Sequence, residues 1–155
     1  MDGAVGHFAH DMGSLTLQST DNNDSLRIER REFEPLVNYH VTASFLGEQV
    51  TNEDVVFIGT TAFLRSLAEL ETSRVGSAVL NSATGCKLMF QANGQMGRVW
   101  LTFQVERQLY TFNSEAWLNR YGRIELSGGF HVSAESIGQL VDAFTELFQH
   151  GARTG

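Results

Sequence analysis

Three residue types are nearly missing from this chain of 155 residues: it has one cysteine, Cys86, one proline, Pro35, and one lysine, Lys87. A single cysteine excludes an intrachain disulfide, and nothing in the cysteine usage points to an oxidising compartment. No apolar run approaches the ~18 residues needed to span a bilayer, so a membrane partner is not expected. The opening Met1-Asp2-Gly3-Ala4-Val5-Gly6-His7 lacks both the basic and the apolar region of a secretory leader. A cytoplasmic location of bacterial type is therefore the default expectation. Basic residues are few: 11 Lys and Arg stand against 18 Asp and Glu, for a net charge of −7. An acidic chain without a basic cluster is a poor nucleic-acid binder, because neutralising phosphate supplies most of that affinity. The same charge steers a basic protein partner towards the chain.

Motifs of catalysis are also lacking. There is no G-x-S-x-G elbow, no phosphate-binding P-loop, no G-x-G-x-x-G after a strand, no zinc-protease pair and no EF-hand loop. Gly94-x-x-Gly97 reads as part of a hairpin turn. Cys86 is a nucleophile only if the fold brings His40 or His131 beside it. Glu48, Glu53 and Asp54 offer carboxylates with no partner at a defined separation. His7-x-x-His10-Asp11 has ligand chemistry but no fourth ligand. No cofactor and no metal are expected.

What the chain has is apolar periodicity. Hydrophobic residues make up 42%, with 11 phenylalanines, enough for one domain that buries roughly 70% of its unfolded surface. Residues 1–13 show no periodicity and read as a flexible N-terminal tail; residues 14–150 read as a single α+β domain. The strongest pattern lies in Ser77 to Glu106. There Ala78-Val79-Leu80, Lys87 to Ala92 and Arg98 to Glu106 read as strands, and Val99, Leu101, Phe103 and Val105 alternate with Trp100, Thr102, Gln104 and Glu106. Ser14 to Arg31 reads as a hairpin around Asp21-Asn22-Asn23-Asp24, and Val37, Tyr39, Val41, Ala43 and Phe45 share one face of a strand. Val55 to Ile58 favours a short strand, Gln108 to Phe112 and Arg123 to Leu126 further strands, and Asn113 to Tyr121 a loop. Gly128-Gly129 reads as an interruption, with a bulge before Phe130-His131-Val132.

Two helices are expected. Phe63, Leu64, Leu67 and Leu70 recur at helical spacing after Thr60 or Thr61 as cap, with Gly76 near the end. Ile137, Leu140, Val141, Phe144, Leu147 and Phe148 form a wider stripe after Ser133 as cap, with Gly138 permitting close contact with the sheet. The expected fold is α+β: a largely antiparallel sheet of about six to eight strands with two amphipathic helices against it.

Two surface features follow. A four-residue hairpin loop would pair Phe90 with Val99 and Met89 with Trp100, placing Met89 and Trp100 side by side on the face away from the core. Glu135, Gln139, Asp142 and Glu146 line one side of the final helix as an acidic strip. Met89, Trp100, Glu135, Asp142 and Glu146 are the candidate partner-binding residues.

The succession Phe63-Leu64-x-x-Leu67-x-x-Leu70-Glu71, Gly76-x-Ala78-x-Leu80, Leu88, Gly97-x-Val99-x-Leu101-x-Phe103-x-Val105 and a closing helix resembles the WapI-type immunity proteins of bacterial polymorphic-toxin systems. Where such proteins often carry a tryptophan near the first long strand, this chain has Asn38-Tyr39-His40. The resemblance implies a non-enzymatic protein that binds and neutralises a cognate toxin domain. Two other readings stand beside it: a small-ligand or enzymatic site in a sheet cavity, and a self-associating domain, a homodimer, using the Met89/Trp100 face.

Overall fold

The structure, a computed structural model, describes residues 8–11, 13–19, 21, 23–33, 36–92, 99–113, 118–132 and 134–149. The fold is α+β, and its strands divide into two antiparallel sheets where the sequence pattern suggested one. The first sheet is a five-stranded meander of β1 (Phe8–Asp11), β2 (Ser14–Gln18), β3 (Ser25–Phe33), β4 (Leu36–Phe45) and β5 (Glu48–Val55). The second runs β10-β9-β8-β7-β6, built from β6 (Phe57–Ile58), β7 (Ser77–Ser82), β8 (Cys86–Ala92), β9 (Val99–Asn113) and β10 (Leu118–Val132). Two helices complete the fold, α1 (Thr60–Ser73) between β6 and β7, and α2 (Ala134–Gln149) after β10. None of the described helices is long and apolar enough to cross a membrane. Part of the expected N-terminal tail is ordered: Phe8–Asp11 pairs with Ser14–Leu17 as an edge strand.

One core joins both sheets and both helices. Leu15, Leu17, Leu26, Ile28, Val41 and Ala43 face inward from the first sheet. Ala78, Leu80, Leu88, Phe90, Leu101, Phe103 and Val105 face inward from the second. The period of two that puts every second residue on one face produces this division. Phe63, Leu67 and Leu70 of α1 and Leu140, Ala143, Phe144 and Leu147 of α2 fill the same interior. The ring of Phe144 lies 5.1 Å from Phe63 and 6.0 Å from Phe90, edge-on to both. Both helices therefore lie on the Phe90 side of the second sheet. Gly138 faces α1, not a sheet: a Cβ there would lie 3.5 Å from the Glu71 carboxylate.

The helix ends differ from the expected caps. Gly59 occupies the N-cap of α1 with φ 65 and no side-chain hydrogen bond, in place of Thr60 or Thr61. Arg74, with φ 57, ends the helix by donating its N–H to Leu70 O, and Gly76 follows with φ 92. Ser133 lies outside the described residues.

Two polar links tie the layers. A bulge lies between the Tyr39–Val55 and Val41–Asn52 pairs. At it, buried Asn52 donates to Thr84 O at 2.8 Å and accepts from the Asp54 N–H at 2.9 Å. Arg30 continues the inward positions of Leu26 and Ile28 and carries its cation into the core, its side chain only 6% exposed. Its guanidinium donates to Tyr39 Oη at 3.0 Å and to the carbonyls of Leu147 and Phe148 at 2.9 and 3.1 Å. A buried cation placed on the final carbonyls of a helix satisfies otherwise unpaired acceptors and meets the negative end of the helix dipole. Burial pushes the Tyr39 phenol above its usual range against the opposing pull of the Arg30 charge.

Candidate binding face

The outward face of the second sheet is assembled by register. β8 and β9 pair Cys86 with Val105, Leu88 with Phe103, Phe90 with Leu101 and Ala92 with Val99. The connection thus spans residues 93–98, two longer than the expected loop, and Met89 lies opposite Thr102 while Trp100 lies opposite Gln91. A shift of two residues leaves every side chain on its expected face, which is why the apolar pattern alone could not choose between the registers. Across the sheet, Val79, Met89, Thr102 and Gly129 form one row, and Ser77, Gln91, Trp100 and His131 the next.

Trp100 does not pack beside Met89 as a cross-strand pair. Its ring turns towards β10, where it meets His131 edge-on at 4.7 Å. It also covers Gly129, since a Cβ on Gly129 would lie 2.9 Å from Trp100 Cζ2 and 2.8 Å from Leu101 O. Gly128 plays the same part on the inward face, where a Cβ would lie 2.6 Å from the Phe45 ring. The expected interruption is instead continuous strand: β10 pairs with β9 residue for residue from Leu118 to Val132. Two successive glycines admit an aromatic ring from each side, which is one of the recognised reasons for glycine inside a strand.

A hollow of ≈ 290 Å³ opens on this face, lined by Lys87, Met89, Thr102, Phe103, Gln104, Ser127 and Gly128. Val79, Met89, Thr102 and Trp100 around it are half-buried, and Lys87, Gln91 and Ser127 are exposed. Polar groups at one end are paired among themselves. Glu125 accepts from Gln104 Nε2 at 3.1 Å and Ser127 Oγ at 2.9 Å, and Arg123 lies 3.5 Å from the Glu106 carboxylate. The face therefore combines an apolar centre with a rim of paired polar groups.

The acidic strip is elsewhere. α2 packs on the inward side of the second sheet, so Asp142, which is exposed, and Glu146, which is half-buried and already engaged, share no surface with Met89 and Trp100. Glu135 lies outside the residues whose side chains are described, as do His7, His10 and Asp11. Sequence reasoning placed Met89, Trp100 and Thr102 on this face and named His131 only as a possible base; it did not place Val79, Gly129 or His131 here. Their parity relative to Trp100 was available in the sequence; the reading of Gly128-Gly129 as a break obscured it.

The nucleophile and base candidates are dispersed. Cys86 faces the core from β8, 3% exposed, and burial pushes its thiol up from 9.0 to about 12. His131 lies on the outward face of the second sheet, and His40 alternates with buried Tyr39 and Val41 on β4. Two further hollows, of ≈ 340 Å³ at Asn52 and Thr84 and ≈ 220 Å³ at Arg30 and Tyr39, are lined by none of these three residues. No group of three or more metal-ligating side chains occurs among the described residues. No family model matches the chain, and neither a curated protein nor a solved structure shows significant similarity to it.

Proposed function

We propose that this chain is a non-catalytic protein-binding domain that docks its partner on the outward face of the second sheet. The observation that supports this reading is the half-exposed apolar centre at Val79, Met89 and Trp100 beside a hollow large enough for a partner side chain. Binding energy concentrates where such a side chain fills a desolvated pocket behind a polar rim. The narrower reading is that of a cytoplasmic immunity protein whose partner is a basic toxin domain. The pattern resemblance to WapI-type immunity proteins supports it, as does the net charge of −7, which favours encounter with a basic surface.

The test is co-expression with any toxin domain encoded beside this chain, read by growth rescue and by calorimetric titration of the two purified proteins; absence of such a neighbour would count against the immunity reading. Wild type restores growth. Met89→Arg, which places a charge in the apolar centre, weakens binding by about 30-fold or more, the loss expected at a hot spot. Normal rescue by Met89→Arg together with loss of rescue on Asp142→Arg would move the site to α2. Failure of wild type to neutralise a neighbouring toxin would sink the immunity reading.

A further inference from the structure

The free edges of the two sheets are not alike. β1 has 4 residues and β6 has 2. β5 is bulged against β4 and carries Glu48, Glu53 and Asp54. Short length, bulges and charge are the usual protections of an exposed edge. β10 has none of the first two: it runs 15 residues, contains neither proline nor lysine, and pairs with β9 without a register shift. Among the described residues, β9 is its only strand partner. Its free side presents a row of backbone donors and acceptors suited to another strand.

The sequence of that edge is complementary to itself. Arg123, Ile124 and Glu125 are all exposed, Ile124 at 47%. In an antiparallel pair of two β10 strands with a two-fold axis at Ile124, each Ile124 lies opposite its counterpart. Each Arg123 then lies opposite the second copy's Glu125. Symmetry makes the charge pair twice, and the two isoleucines cover each other. An axis at Arg123 or at Glu125 would instead set like charges face to face, which is destabilising in directly opposed positions. Of the three axes within this triplet, the charge pattern favours the one at Ile124.

We propose that two copies of this chain join edge to edge along β10, antiparallel about Ile124, making one sheet from two five-stranded sheets. The interface is isologous and closed, so association stops at the dimer. It uses the strand edge and leaves the face around Met89 and Trp100 open on both copies.

The test is the self-association constant of the full chain, by light scattering and sedimentation, for wild type, Glu125→Arg, Arg123→Glu and the double swap. Wild type forms a dimer. Each single variant turns two attractive pairs repulsive and weakens the dimer on the order of tenfold or more. The double swap restores it. Glu125→Arg gives up the hydrogen bonds from Gln104 and Ser127 but sets the new cation opposite Glu106 within its own sheet. It keeps a native circular dichroism spectrum while losing the dimer, which separates association from folding. A folded wild type that stays monomeric at high concentration overturns the proposal. So does a double swap that stays as weak as the single variants. Undiminished association of Glu125→Arg assigns the contact to another surface, such as the Trp100 face, and equally overturns it.

Discussion

The two sheets present outward faces made by the same alternation, yet they carry different chemistry. On the first sheet the outward residues satisfy one another. Arg27 reaches Thr16 Oγ1 at 3.2 Å and Glu29 at 3.7 Å, Arg31 reaches Glu29 at 3.7 Å, and the hydroxyls of Thr42 and Thr51 are 2.9 Å apart. On the second sheet the corresponding positions hold Val79, Met89 and Trp100, with a hollow beside Met89. A face whose polar groups are already paired gains little from a partner, whereas half-exposed apolar area gains from every contact that excludes water. That difference, more than the total charge, is what favours the second sheet's face in the proposed function.

The largest expected effect concerns the wall behind that face. Cys86 lies immediately beside exposed Lys87 in sequence but points into the core. Its thiol ionises near 9.0 when unfolded and at about 12 when folded, through burial. Between those values the unfolded state has lost the proton that the native state keeps, so stability falls as pH rises, by about 1.4 kcal/mol per unit. The contribution is intact below pH 9.0. Urea titrations at successive alkaline pH values should show this fall in wild type and a shallower one in Cys86→Ala, where the raised pKa of Tyr39 still acts in the same direction. Equal slopes in the two proteins would mean that the wall is wet.

Next in size is Gly129→Ala. The added Cβ meets Leu101 O at 2.8 Å, a main-chain atom that cannot swing away. We expect a loss of about 1–3 kcal/mol by overpacking, measured by chemical unfolding. A neutral result would show that Trp100 and the strand yield together. The smallest effects separate the two faces themselves. Met89→Arg should change stability by less than about 0.5 kcal/mol, as surface substitutions do, while weakening partner binding by about 30-fold or more. Thr42→Ala should cost about 0.2–1 kcal/mol through its cross-strand pair and leave binding untouched. If Thr42→Ala weakens binding as much as Met89→Arg, the contrast between the faces is lost.

Where burial was one-sided, the sequence was legible. The alternation Val99, Leu101, Phe103, Val105 marked the inward face of β9, and the stripe through Leu140, Phe144 and Leu147 marked α2. Partition into two sheets was not legible, because alternation reports a buried face and not which strands share it. Asn113 to Tyr121 read as loop, yet Tyr110 pairs with Tyr121 and Asn113 with Leu118 beyond the part of β9 and β10 that covers the core. With no core beneath, the alternating signal fades: Leu109 and Ile124 continue the inward parity but are exposed at 38% and 47%. Arg30 was illegible for the opposite reason. It occupies a core-facing position in strict period with Leu26 and Ile28, but a charged residue there reads as surface unless acceptors distant in sequence are known.

Those acceptors set a condition on how the chain can be made. Arg30 is synthesised 117 residues before Leu147, whose carbonyl receives its proton donor. Until that segment exists, β3 holds a cation aimed at an interior, met only by Tyr39 and, at 3.8 Å, by the exposed Glu32 carboxylate among the described residues. Loops of that span close slowly. A nascent chain on the ribosome can thus pair its strands early, but it gains a closed interior only when the end of α2 arrives. Shortening α2 by its final turn would be felt first in the oldest part of the molecule.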